Sequence, residues 1–172
     1  MKALVIASPI GPLRLRAEDG SLVAVDFSPF AERTDLTHMT TDLADTTKAE
    51  ADDRVLAATA AQLDAYFAGT LTSFDLPLAP RGTEFQQRVW QALRHVGYGE
   101  TASYSDVARR LGKTAAASRA IGLANGRNPI PIIIPCHRII GRDGALTGYA
   151  GGIDRKRRLL ELERPSLIPD EI

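Results

Sequence analysis

Apolar and polar positions alternate through the first part of the chain. Leu4 and Ile6 precede the turn Pro9-Ile10-Gly11-Pro12, Arg14 and Arg16 interleave with Leu13 and Leu15, and Leu22, Val23, Val25 and Phe27 follow the turn Glu18-Asp19-Gly20. A period of two in three short runs separated by turn residues predicts a three-stranded antiparallel meander. Residues 28 to 50 are acidic, Thr-rich and weakly patterned, which predicts an irregular or mobile loop. From Asp52 to Phe67 the period changes to that of a helix. Val55, Leu56, Thr59, Leu63, Tyr66 and Phe67 share one face, and Gly69 marks the stop. A small α/β unit would then end near Leu78.

Pro77, Pro80, Arg81 and Gly82 read as a linker, and short helices follow it. Thr83 and Gln86 have the spacing of a capping box ahead of Phe85, Val89, Trp90 and Leu93, predicting a helix to about His95. After the turn Gly97-Tyr98-Gly99-Glu100, Ser105 is the expected cap of a short helix with Val107, Ala108 and Leu111 inward. Gly112 breaks it, and Thr114 is the expected cap of a second helix reaching about Asn125. Two short helices joined by a Gly-containing turn are the helix-turn-helix signature. The boundaries expected are 1–79 for the first domain and 80–172 for the second.

The second of those helices presents Ala115, Ala116, Ala117, Ser118, Ala120, Gly122 and Ala124, with Arg119 the one long polar side chain among them. It lacks the row of Asn, Gln or Arg that reads bases in the major groove. Small residues let a helix approach either a narrow minor groove or a protein core closely, so both readings stand.

The formal charge of zero over 172 residues conceals an asymmetry. Residues 1–80 hold 6 basic and 12 acidic side chains, and residues 81–172 hold 15 and 9. The second half attracts phosphate and the first repels it, as a localised nucleic-acid footprint would require; two complementary domains would give the same numbers. With 44% hydrophobic and 24% charged residues the composition is globular. No apolar run approaches the roughly 18 residues of a membrane span, and Ala3 to Ala7 is too short for a signal peptide. A cytoplasmic protein without membrane contact is expected.

A single cysteine excludes an internal disulfide, and three histidines beside it show no zinc-ligand spacing, so no metal is expected. That cysteine, Cys136, closes the proline-stiffened run Asn128-Pro129-Ile130-Pro131-Ile132-Ile133-Ile134-Pro135 and is followed by His137 and Arg138. Rigid backbone delivering a thiol beside a base suits a nucleophile. The imidazole and Arg138 would favour the thiolate. The alternative is an inert cysteine at the end of a buried strand.

Pro135-Cys136-His137-Arg138-Ile139-Ile140 resembles the active-site signature of the O6-alkylguanine-DNA alkyltransferases, also called methylated-DNA–protein-cysteine methyltransferases. Phe85 to Trp90, Gly99-Glu100 through Ser103-Tyr104, Ser118 to Gly122, Asn125 through Pro129, Gly148 to Gly152 and Leu159 to Glu163 resemble the family in order and approximate spacing. The resemblance covers nearly all of residues 81–164, and Ser8 to Pro12 is similar to the family's N-terminal domain. It implies a ribonuclease H-like N-terminal α/β domain, a small antiparallel sheet with a helix. A mainly α, winged helix-turn-helix C-terminal domain would follow.

What the resemblance implies for function is a suicide DNA-repair reaction. An alkyl group on guanine O6 in double-stranded DNA, and on thymine O4 as an option, would pass to Cys136, once per molecule and without cofactor. His137 would be the general base acting through a water, Glu163 its orienting carboxylate and Asn128 a structural tie. Tyr104 would help turn the nucleotide out and protonate the leaving purine. Arg119 would fill the vacated place on a helix face made of Ala117, Ser118, Ala120 and Gly122. Ile139, Tyr149, Ala150 and Gly151 would close the base pocket. The partner is duplex DNA carrying alkylated guanine, bound by a monomer with cooperative clustering as an option.

This chain departs from some relatives in lacking an N-terminal cysteine, so neither a zinc site nor phosphotriester repair is expected there; at Ala150 some relatives carry Ser. Three other readings stay open from the residues. They are an alkyltransferase-like binder, against which Cys136 speaks, a winged-helix regulator with an inert cysteine, and a cysteine hydrolase.

Overall fold

The computed structural model describes residues 1–30 and 43–164, with side chains from residue 47 onward in the second stretch. The chain divides into two compact units, Met1–Pro80 and Arg81–Ile172. Among the described residues no helix is long and apolar enough to cross a membrane.

In the first unit, strands β1 (Lys2–Ile6), β2 (Leu13–Glu18) and β3 (Ser21–Phe27) form an antiparallel sheet in that order. Leu4 stands opposite Leu15, and Leu15 opposite Val25. The alternation expected from the sequence sorts β2 cleanly: Leu13, Leu15 and Ala17 are fully buried, while Arg14 and Arg16 leave by the other face to meet Asp26, each at 2.9 Å. Helix α1 (Leu43–Phe67) covers the apolar face with Val55, Leu56, Thr59, Leu63 and Tyr66. Its carboxylate Asp52 accepts from the Gly20 N–H at 2.8 Å, fastening the β2–β3 turn to the helix.

Two expectations change here. Residues 43–50 belong to α1 rather than to a loop, so the helix starts well before Asp52. The rest of the predicted loop lies partly in residues 31–42, outside the described residues. The early turns of α1 are held by tertiary ion pairs, Lys48 to Asp19 at 2.9 Å and Lys2 to Asp53 at 2.5 Å, which a helical period cannot reveal.

In the second unit, α2 (Glu84–Leu93) opens with the expected Thr83–Gln86 capping box and buries Val89, Trp90, Ala92 and Leu93. A side chain on Gly82 would lie 2.3 Å from Trp90 Cη2, so only glycine lets the chain cross the indole. Strand β4 (Ala102–Ser103) leads directly into α3 (Tyr104–Arg110). The cap of α3 is Ser103 rather than Ser105: its hydroxyl accepts from the Asp106 N–H at 3.1 Å while Asp106 accepts from the Ser103 N–H at 2.8 Å. Gly112, at φ +68°, turns the chain.

Thr114 makes no side-chain cap, and Ala115–Ala117 form a 3-10 turn, so the second helix, α4 (Ser118–Gly126), starts later than expected. The pair α3–α4 packs through Val107, Ala108 and Ile121, all fully buried, as a helix-turn-helix. Strand β5 (Ile139–Ile140) pairs parallel to β4, with Ala102 opposite Ile139 and Ser103 opposite Ile140. Helix α5 (Ile153–Glu163) completes the unit.

Candidate active site

The chain around Cys136 is built to hold a fixed shape. Ile132 sits at φ 75°, a left-handed conformation that costs a β-branched residue about 1–3 kcal/mol and persists only where neighbours over-determine it. Asn128 supplies that determination. Its Nδ2 donates to the Ile134 carbonyl at 2.8 Å, and its Oδ1 accepts from the Ile130 N–H at 3.0 Å, so one side chain spans the loop. Pro135, at φ −80° and ψ 62°, lets the Cys136 N–H donate to the Ile134 carbonyl at 2.8 Å in an inverse γ-turn. The residues Cys136–Arg138 then make one 3-10 turn and enter β5.

Cys136 is 3% exposed. Burial pushes its thiol up to about 11, against the opposing pull of the Asn128 side chain, the Lys156 charge and the Tyr149 hydroxyl. The resting group is therefore a thiol, and a base is needed to make it nucleophilic. His137 is fully buried, and its Nε2 lies 2.7 Å from Glu163 Oε1. Burial would raise the Glu163 carboxyl, but the hydrogen bonds and charges of His137 and Arg138 outweigh it and hold the group down at about 2. Burial lowers the His137 pKa by more than Glu163 raises it, so the ring is neutral. An ionised Glu163 takes the Nε2 proton, which leaves Nδ1 with its lone pair. That nitrogen is buried and has no partner.

Arg138 does not serve the thiolate as the sequence suggested. Its Nε and Nη2 donate to Glu163 Oε2 and Oε1 at 2.8 and 2.9 Å, and its Nη1 donates to the Val96 carbonyl at 2.6 Å. The bidentate clasp aims the carboxylate at the imidazole. Glu163 reaches this position because α5 buries Lys156, Leu159, Leu160 and Glu163 along one face.

The other expected residues divide into two groups. Tyr149 joins Cys136 directly, and Ile139 lies fully buried in β5. Gly151 is buried, its carbonyl accepting from Arg155 at 3.1 Å, while Ala150 is exposed. Tyr104, first residue of α3, is half-buried, and its hydroxyl shares a 2.7 Å hydrogen bond with Thr147 Oγ1. Gly122 faces the Tyr104 ring at ordinary contact distance. On α4, Ala117, Ser118 and Gly122 are half-buried, and Ala120 and Arg119 are exposed. Arg119 reaches none of the buried cluster.

Sequence reasoning missed Asn125, Thr147 and Lys156. The Nδ2 of Asn125 donates to the Cys136 carbonyl at 3.4 Å, and the Trp90 indole N–H donates to the Ala124 carbonyl at 2.8 Å, so the end of α4 is fastened both to α2 and to the reacting turn. Lys156 was hidden in the basic run Arg155 to Arg158. Its place three, four and seven residues before Leu159, Leu160 and Glu163 was the available signal. Among the described residues no cluster of three or more His, Cys, Asp or Glu is arranged to hold a metal ion.

Comparison with known proteins gives this geometry a setting. The pattern of the 6-O-methylguanine DNA methyltransferase DNA binding domain matches residues 84–165, and that of the same family's ribonuclease-like domain matches residues 1–80. The methylated-DNA–protein-cysteine methyltransferase of Mycobacterium tuberculosis is 50% identical over 159 residues, 92% of this chain and 90% of that one. The protein of that name from Methanosarcina barkeri is 48% identical over 163 residues, 95% of this chain and 97% of that one. Among solved structures, Mycobacterium tuberculosis OGT in complex with DNA superposes with a TM-score of 0.78 at 49% identity, covering 96% of this chain and 94% of that one. Matched along both halves of its sequence, the chain belongs to the 6-O-methylguanine DNA methyltransferase family.

Proposed function

We propose that this protein repairs O6-alkylguanine in duplex DNA by moving the alkyl group onto Cys136, once per molecule. The observation that carries the reading is the buried Cys136–His137–Glu163 arrangement, in which a protonated thiol stands beside a neutral imidazole whose second nitrogen is anchored by a carboxylate. That is the orienter–base–nucleophile order of covalent catalysis. The orphaned Nδ1 of His137 is the acceptor for the thiol proton, relayed by one water.

The sulfur attacks the alkyl carbon, the S–C bond forms as the C–O6 bond breaks, and the electron pair returns to the purine. Tyr104 gives its phenolic proton to that purine and recovers one from solvent, while the proton held by His137 is released to water. The products are guanine and a neutral thioether. Water has no good leaving group to displace from a thioether, so the protein is consumed. The alkyl carbon is inaccessible inside the stack, so the nucleotide rotates out at a cost of a few kcal/mol. Exposed Arg119 enters the gap, and the small face of Ala117, Ser118, Ala120 and Gly122 lets α4 approach the minor groove. Ile139, Tyr149, Ala150 and Gly151 enclose the base. One chain supplies every group, so a monomer suffices.

The test is the intact mass after incubation with duplex containing O6-methylguanine. One methyl on Cys136, absent in Cys136→Ala, is expected. Product in excess of protein would point to a hydrolase, and binding without mass change to a regulator or sensor; either sinks the proposal. The same assay with O4-methylthymine, which offers an equivalent O-alkyl carbon, decides whether it is a second substrate.

A further inference from the structure

Lys156 is fully buried, yet its Nζ donates only to two neutral acceptors, the carbonyls of Ile139 at 2.5 Å and Thr147 at 3.0 Å. Among the described residues it forms no ion pair with a carboxylate. A buried ammonium is normally matched by an anion, because losing water without a counter-charge is costly. Its position aggravates the cost. Lys156 lies in the first turns of α5, where the helix dipole disfavours a cation. Glu163, on the same face two turns on, is committed to His137 and Arg138. An ammonium has three N–H donors, and two are used.

The groups that feel this charge are those of the reaction. Lys156 acts on the Cys136 sulfur, favouring its anionic form, and on His137, disfavouring the imidazolium. Tyr149 and Asn128 face the sulfur from the loops that flank it, and Arg138 and Glu163 face the imidazole. Its two carbonyl partners belong to the strand leaving Cys136 and to the residue whose hydroxyl holds Tyr104.

We propose that Lys156 is the counter-ion of the Cys136 thiolate, a positioning residue that stabilises the charge developing on sulfur and locks the Ile139 and Thr147 carbonyls on either side of it. The inference rests on the reading of Cys136 as alkyl acceptor. As the thiol proton leaves for His137, negative charge appears beside Lys156 and positive charge beside Glu163, so each new charge meets a fixed partner of opposite sign. Lys156 keeps its own proton throughout. Burial brings its pKa down to about 8, against the opposing effect of Cys136, so the cation is present at neutral pH and disappears just above it.

The experiment measures single-turnover methyl transfer from saturating O6-methylguanine duplex to the native chain, Lys156→Met and Lys156→Arg, from about pH 6 to about 9.5. An opposite charge near a thiol shifts its ionisation by roughly 1–3 pH units, so Lys156→Met should be slower by about 10- to 100-fold near pH 7. The native profile should bend downward near pH 8 as the cation is lost, and the deficit of Lys156→Met should shrink above that point. Lys156→Arg should retain the rate advantage and lose the bend. A Lys156→Met profile parallel to the native one at every pH would make the residue merely structural and overturn the proposal. Should Lys156→Met fail to melt cooperatively, the native profile decides alone: no bend between about pH 7 and 9 refutes the counter-ion role. A native chain that takes up no methyl would instead defeat the alkyl-acceptor reading.

Discussion

Glu163→Gln isolates the electrostatic core of the site, because it keeps the side chain's shape and one hydrogen-bond acceptor while removing the charge. In the native protein the carboxyl drops from the ordinary 4.5 to about 2, which corresponds to ~3 kcal/mol of preference for the ionised form in the folded state. The substitution also leaves Arg138, only 6% exposed, without its anion, and breaking one side of a buried pair costs about 3–5 kcal/mol. A loss near ~3 kcal/mol at neutral pH is expected, and at roughly 2–4 °C per kcal/mol it lowers Tm by about 6–12 °C. The pH dependence gives the sharper test. A group whose folded-state pKa is depressed contributes stability above its unfolded value and surrenders it as pH falls through the folded one. The native-minus-variant difference in urea unfolding should therefore be constant above about pH 5 and shrink progressively from about pH 4.5 toward 2. The buried neutral His137 destabilises the fold in acid in both proteins, so its effect cancels in the difference to first order. A deficit under about 1 kcal/mol at neutral pH, or one that does not decline in acid, would refute the view that Glu163 is held as a shared anion.

Arg119→Ala should slow methyl transfer from duplex far more than alkyl transfer from the free base O6-benzylguanine, because only the duplex must be opened; equal losses in the two rate measurements would contradict its wedge role. Trp90→Phe removes the indole N–H and leaves the Ala124 carbonyl without that donor, so thermal unfolding should report a loss of about 1–3 kcal/mol. If Tm is unchanged, the Trp90 bond does not anchor α4.

The strands of the first unit were legible because a period of two sorted Leu13 and Leu15 from Arg14 and Arg16, and burial did the rest. The Thr83–Gln86 box was legible because both partners lie within one turn. What escaped depended on pairs distant in sequence. The early turns of α1 carry Asp and Thr with little period and are held by the sheet's ion pairs. Ser103 outcompetes Ser105 as a cap because β4 must end where β5 pairs with it, although Asp106 three residues on was a usable clue. Arg138 sits next to Cys136 in sequence, yet its fork fits the Glu163 carboxylate, and that contact exists only once α5 docks. The Cys136 run itself was readable as rigid, whereas the pKa of the thiol was not, since burial runs opposite to what a neighbouring arginine suggests.

The two bonds at the end of α4, from Trp90 to the Ala124 carbonyl and from Asn125 to the Cys136 carbonyl, bear on how such a protein is re-engineered. The helix that meets DNA and the turn that carries the sulfur share a fastening one residue wide. Grafting a foreign recognition helix onto this scaffold would therefore change more than what is recognised. Unless the graft ends in an Ala-Asn step at the same register, it would unpin the carbonyl of the reacting residue, and altered preference would come with altered aim.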